Sequence, residues 1–180
     1  MYQPPFSLDE QLPPRVWRSE LRPTITGLII SPHGKIVMVL PRKASANGWI
    51  FPQGGFQRAE SPLLAITREL REELGYGLDC IDAHALQPLL TQACQHSDKR
   101  HYVVAVPLRA WQPPRLNGKN RKYCLVGGPN ELWQKIQQCS PGKRELITRS
   151  IKEAMHIGLL HTERWHPVRA DSFLAYAATT

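Results

Sequence analysis

Three glutamates, Glu69, Glu72 and Glu73, fall within five residues of the run RELREELGY, which extends from Arg68 to Tyr76. The chain around them is basic, with a formal net charge of +8 over 180 residues. On a helix each residue advances about 100°, so the three carboxylates share one arc about 100° wide. Like charges at i,i+3 and i,i+4 destabilise a helix by about 0.2–0.5 kcal/mol per pair. Arg68 can relieve Glu72 at i+4, but Glu69 and Glu73 have no cation at helical spacing. A solvated face and a metal site both accommodate such a cluster. Hard divalent cations such as Mg²⁺ or Mn²⁺ take carboxylate oxygens and would offset the repulsion.

The elements that must position these acids can be read from local signals. Ser61-Pro62 starts a helix, with a serine cap and proline at the first helical position. Leu63, Ile66, Leu70 and Leu74 form its apolar stripe, and Gly75 supplies the C-terminal turn. The glutamate arc lies beside that stripe, at the rim where a helix leaves the core. Upstream, Thr24–Ser31 and Lys35–Pro41 read as a hairpin around Pro32-His33-Gly34. Trp49–Phe56 begins as a short strand and ends in a Gly-Gly loop, with Trp49 and Phe51 expected in the core. Downstream, His101–Leu108 and Arg121–Gly127 read as strands, 130–138 as a short helix and 144–160 as a second amphipathic helix. The stretch between Tyr76 and His101 carries no clear signal. Mixed strands and helices in this order indicate an α/β domain around a mixed sheet. Residues 1–21 are expected as a proline-rich arm, 22–160 as the domain and 161–180 as a tail.

The wider stretch GGFQRAESPLLAITRELREELGY, from Gly54 to Tyr76, resembles the Nudix box. Gly54, Glu60, Arg68, Glu69, Glu72, Glu73 and Gly75 are its fixed identities, and Leu70 and Tyr76 its apolar positions. At about 7% per position, this match arises by chance on the order of once in 10⁹ starts. The resemblance implies an α/β/α sandwich around a mixed sheet, with the box as a loop–helix–loop. It implies divalent metal held by Glu69, Glu72 and Glu73 with help from the backbone near Gly54. It also implies an orienting ion pair between Arg68 and Glu60. The implied reaction is water attack on phosphorus in a nucleoside diphosphate-linked substrate, with Mg²⁺ or Mn²⁺ as cofactor.

The flanks narrow the resemblance. Arg22-Pro23 and the run Trp49, Phe51, Pro52, Gln53, Gly54, Gly55 are similar to the bacterial RNA pyrophosphohydrolases and dinucleoside polyphosphate hydrolases of that family. Lys122-Tyr123 stands where that group has Lys-Trp. Arg22, Gln53, Lys122 and Tyr123 are therefore the candidate substrate contacts, for an RNA 5′ end or a nucleotide polyphosphate. Such enzymes use a further glutamate distant in sequence, for which Glu131 and Glu145 are the candidates. The alternative functions are hydrolysis of small nucleotides (dNTP, ADP-ribose or nucleotide sugar) or a non-catalytic RNA-binding module.

Composition bounds these readings. Residues 1–90 balance at nine Lys+Arg against nine Asp+Glu, whereas 91–180 hold fourteen against six. The segment 99–122 carries seven cations and no acid, a field that attracts polyanions. The four cysteines form no C-x-x-C pair and are expected as free thiols. Cys94, His96 and His101 lack a fourth partner at a metal-binding spacing. No apolar run reaches the roughly 20 residues that cross a membrane. The N-terminus lacks the basic start and apolar core of a signal peptide, so the expected location is the cytoplasm.

Overall fold

Alternation along the first strand sets up the sheet. In β1 (Arg22–Ile30), Ile25 and Ile29 turn to one face and Leu28 and Ile30 to the other, and all four are buried. A strand apolar on both faces belongs inside a layered fold. The computed structural model describes residues 21–42, 48–93, 98–116 and 118–165. Its sheet runs β4-β5-β1-β2-β6, with β2 at Ile36–Pro41, β4 at Gln87–Ala93, β5 at Lys99–Pro107 and β6 at Asn120–Val126. The β1–β5 pair is parallel and the others are antiparallel, so the sheet is mixed.

Helix α1 (Pro62–Leu74) covers one face, burying Ile66, Leu70 and Leu74 against Ile25, Ile29, Val37 and Val104. A side chain at Gly27 would meet Ile66 Cδ1 at 3.0 Å, so this glycine lets α1 approach the sheet closely. Helices α2 (Pro129–Ile136), α3 (Pro141–His156) and α4 (Thr162–Trp165) contribute to the core on the other face. The architecture is the expected α/β/α sandwich. Trp165 is buried in the second core and donates from Nε1 to Gly34 O at 3.2 Å. The packed body thus runs past residue 160 into the segment expected as a tail. The rest of that tail, and the arm apart from Leu21, lie outside the described residues.

Two elements differ from the sequence reading. The expected Gly-Gly loop is a strand, β3 (Gln53–Gly55), paired with β1 through Thr24↔Gly55, Ile25↔Gly54 and Thr26↔Gln53. β1 meets β2 only at Ile29↔Val37 and Ile30↔Ile36. The two strands part beyond that point, and β3 takes up the backbone groups of β1 left open in the wedge. The signal-free stretch contains β4, an edge strand whose pairing with β5 shifts register between Pro88 and Leu90. That irregularity and its half-buried pattern hide it from a search for alternation. Phe51 enters the core as expected, whereas Trp49 is half-buried beneath the Lys135 ammonium, 5.0 Å from its ring centre.

His101 on β5 is buried and its Nδ1 lies 3.0 Å from Thr26 Oγ1. Burial, then the charges of Lys99 and Lys143, push its pKa down to about 4. The unfolded chain therefore binds the extra proton first, between about pH 6.5 and pH 4, and stability falls as pH drops through that window. The loss amounts to at most about 3 kcal/mol. Urea unfolding at pH 7 and pH 4 is expected to show a smaller pH-dependent loss for His101→Gln than for the wild type. Equal losses would remove His101 as the source.

Candidate active site

The wedge between β1 and β2 brings the backbone of β3 against the glutamate face of α1. Ser61 caps the helix, its Oγ accepting from Leu64 N at 3.3 Å, and Gly75 ends it at φ 71°. Glu69 and Glu73 are 3% and 7% exposed, deeper than the rim position expected for them, while Glu72 remains half-exposed. A side chain at Gly54 would overlap the Glu69 carboxylate. Glycine is thus required here for close approach rather than for backbone freedom.

Arg68 organises the acids. Its Nε and Nη2 donate to the two oxygens of Glu60 at 2.7 and 2.9 Å, a bidentate pair, and Nη2 also donates to Gly55 O at 2.9 Å. Nη1 bonds Glu69 Oε1 and lies 3.5 Å from Glu72 Oε1. Glu60 Oε2 further accepts from Gln57 N at 2.8 Å. The hydrogen bond from Arg68 holds the Glu60 carboxyl below its usual range, and the same bond raises the guanidinium. Glu69 has no cation at helical spacing, yet its sequence neighbour Arg68 reaches it directly.

The opposite wall comes from the start of β6, which the sequence reading did not assign. Lys119 Nζ bonds Glu72 Oε2 and lies 3.6 Å from Glu69 Oε2. The Lys119 bond lowers the Glu72 carboxyl. Burial pulls the Lys119 ammonium down, but the bond to Glu72 and the charges of all three glutamates outweigh it. Asn120 is 4% exposed and its amide faces Glu73. Register explains that placement. β6 pairs with β2 through Tyr123↔Val39 and Lys122↔Leu40, then shifts by one residue so that Asn120 opposes Pro41. Without the shift Arg121 would face the acids.

Glu73 is the most perturbed of these acids. Burial raises its pKa to about 7 and the Glu69 charge adds to this, against lowering by Asn120, Lys119 and a backbone hydrogen bond from Gln53. The Asn120 amide is near enough to act on it, yet Asn120 Nδ2 forms no aligned hydrogen bond, and Glu73 Oε2 and Glu69 Oε2 likewise have none among the described residues. Buried polar atoms without partners are rare and costly.

These features fit a divalent cation. The donors are hard carboxylate oxygens, two are buried without hydrogen bonds, and Gly54 leaves room beside one of them. Glu60, Glu69, Glu72 and Glu73 bring four acids against the cations Arg68 and Lys119, a deficit of two charges when all are ionised. The carboxylates are not drawn into a closed cage. Glu72 is turned to Lys119 and Glu69 to Arg68, and no group of three acidic, imidazole or thiol side chains able to hold a metal forms among the described residues.

The remaining candidates separate. The Arg22 guanidinium lies over the glycine pair, 3.4 Å from where a Gly55 Cβ would stand. Gln53 meets Glu73 through its backbone. Tyr123 is 36% exposed and shares the sheet face of Val39, the face of α1. Lys122, its neighbour along the strand, points to the other face. Neither proposed distant glutamate joins the site. Glu131 Oε2 accepts from Gly127 N at 2.7 Å, at the far end of β6 from Asn120, roughly 20 Å away by strand rise. Glu145 pairs with Arg149 on α3, which packs on the opposite face of the sheet. The basic segment is also dispersed. Arg109 pairs with Asp82 at 3.7 Å, Arg115 packs on Gly75 and Arg121 bonds Pro41 O at 3.3 Å. Cys80, Cys124 and Cys139 are free thiols, whereas Cys94 and His96 lie outside the described residues. No described helix is long and apolar enough to cross a membrane.

Comparison with known proteins places the chain in a family. An RNA pyrophosphohydrolase of Hahella chejuensis is 34% identical over 152 residues, covering 82% of this chain and 78% of the relative. One of Teredinibacter turnerae is 28% identical over 162 residues, covering 77% and 89%. A Caenorhabditis elegans Ap4A hydrolase, solved as a binary complex, superposes with a TM-score of 0.58 at 15% identity, over 76% of this chain and 98% of that one. A NUDIX domain is matched across residues 20–138, and the chain belongs to the Nudix hydrolase family.

Proposed function

We propose that this Nudix hydrolase is a divalent-metal-dependent pyrophosphohydrolase acting on a 5′-triphosphorylated RNA end or a dinucleoside polyphosphate. The buried oxygens of Glu69 and Glu73 that accept no hydrogen bond among the described residues, set beside Gly54, carry the metal reading. The relatives named RNA pyrophosphohydrolase support the RNA end. Glu69, Glu72 and Glu73, with the backbone at Gly54, would hold Mg²⁺ or Mn²⁺. When bound, such a cation neutralises phosphate charge and lowers the pKa of its water. Arg68, fixed by Glu60, keeps Glu69 aimed at the glycine cradle. Arg22 offers a guanidinium to a phosphate near Gly55, and Gln53 lines the same edge. Tyr123 presents a ring for base stacking, a contact worth about 1–3 kcal/mol. Lys122, on the opposite face of β6, is not part of this surface. In the reaction an oxygen–phosphorus bond forms from water as the bridging anhydride bond breaks; the leaving phosphate keeps the electron pair, and the proton of the attacking water passes to solvent.

A substrate panel tests this reading. Triphosphorylated RNA, diadenosine tetraphosphate, dNTPs, ADP-ribose and a nucleotide sugar are incubated with the protein and Mg²⁺ or Mn²⁺. The expected result is fastest turnover of one of the first two, stopped by chelator and restored by metal. Turnover confined to dNTPs or ADP-ribose would reject the substrate class. Glu73→Gln is expected to lower kcat by about 10²-fold or more, the scale of losing one preorganised charge contact, with no loss of thermal stability because burial already disfavours the Glu73 charge. Full activity in that variant would reject the metal assignment. Gly54→Ala is expected to weaken Mn²⁺ binding by displacing Glu69, and Glu60→Gln to cost about 10- to 100-fold in activity or metal affinity. Titration of Mn²⁺ by its paramagnetic signal checks both, and wild-type affinity in Gly54→Ala would dismiss the cradle.

A further inference from the structure

Among the described residues, Lys119 is the cation that pairs with the acids of α1 from outside that helix. The loop that carries it is strapped across the end of α1. Tyr76 Oη donates to Gln112 O at 2.9 Å, Arg115 N to Leu74 O at 2.7 Å, and Trp111 and Leu116 pack on the α1-side core. Gly118, at φ 97°, turns the chain into β6, and Lys119 O accepts from Arg42 N at 3.0 Å. The Lys119 backbone is therefore tied down while its half-exposed ammonium rides on a flexible four-carbon stem. That ammonium bonds Glu72 and stands 3.6 Å from Glu69 Oε2, an ion-pair distance at an oxygen that accepts no hydrogen bond among the described residues. A divalent cation seated on those same oxygens would meet it at a few ångströms, where two positive charges repel strongly.

We propose that Lys119 is a built-in counter-cation of the carboxylate cluster, which a divalent metal displaces and which then takes up the substrate's phosphate chain as a positioning residue. The proposal rests on the metal reading above and adds a role within it. In the free protein Lys119 holds Glu72 and competes for the metal site. Once displaced, its ammonium has lost its carboxylate partner, and an incoming polyphosphate replaces it. Metal and substrate then favour each other's binding, because each removes the cost of stranding the same charge. A lysine also suits the task better than an arginine, since a point charge on a rotatable stem changes partner without a fixed fork to realign.

The test compares wild type, Lys119→Met and Lys119→Arg by Mn²⁺ titration without nucleotide, followed by steady-state kinetics on the substrate found in the panel. Lys119→Met is expected to bind Mn²⁺ at least about fivefold more tightly than wild type, the lower end of coupling between linked sites. Its KM is expected to rise severalfold, with kcat less affected, and Lys119→Arg to restore the weaker Mn²⁺ binding. Mn²⁺ affinity unchanged or weakened in Lys119→Met, with wild-type binding intact, overturns the counter-cation. Tighter Mn²⁺ with an unchanged KM overturns the transfer to phosphate. Absence of Mn²⁺ binding by wild type would instead overturn the metal reading, and this proposal with it.

Discussion

The bidentate bond between Arg68 and Glu60 is the contact on which the rest of the site depends. Glu69 is almost fully buried, and a carboxylate at that depth is costly unless a partner meets it. Arg68 keeps a cation beside it, but Arg68 could adopt many rotamers if left alone. Glu60 removes that freedom by meeting the guanidinium with both oxygens, and Gly55 O takes a further donor. One side chain thus joins the turn before α1, the strand β3 and the helix itself. The turn is tight enough that Ala59 adopts φ 59°, a left-handed conformation a non-glycine residue enters only at a cost of roughly 1–2 kcal/mol.

The sheet supplies the second condition, a place for the acids to go. β1 and β2 separate after two residue pairs, and β3 enters the gap with two consecutive glycines. A side chain on the first would occupy the space of the Glu69 carboxylate, and one on the second would press on Arg22. The wedge is therefore both a sheet repair and a cradle. Its backbone satisfies β1 on one side and offers Gln53 N–H to Glu73 on the other. α1 comes close enough to use it because Gly27 carries no side chain beneath Ile66.

How much of this was legible depended on how local each signal is. Ser61-Pro62, the leucine stripe and Gly75 lie within one helix, so the helix and its ends could be read directly. The box spacing located the acids and the Arg68–Glu60 pair, since all lie within fourteen residues. The wall made by Lys119 and Asn120 was not legible. Lys119 meets Glu72 across 47 positions in sequence, and Asn120 faces the site only because β6 slips by one residue against β2. No residue type announces that slip. Glu131 and Glu145 are the distant acids that sequence offers, but packing assigns them to the far end of β6 and the other face of the sheet. The segment 99–122 looked like one basic patch because sequence cannot tell which cations are drawn off singly to Asp82, Pro41 O or the glutamates.

Charge balance explains why an amide and an amine, rather than a fourth carboxylate, suit this wall. Four acids already face two cations, and the deficit of two matches one divalent ion. A further buried carboxylate would deepen the deficit and raise its neighbours' pKa values, as Glu69 already does to Glu73. The chain would then hold protons where the proposed metal site calls for ionised carboxylates. Asn120 fills the position beside Glu73 without adding charge, and Lys119 covers the most exposed acid with a cation that can leave. Burial makes the acids demand a partner, and the half-exposed lysine makes that demand adjustable. A cluster closed by a second fixed arginine would be quieter on its own and less able to open for a metal.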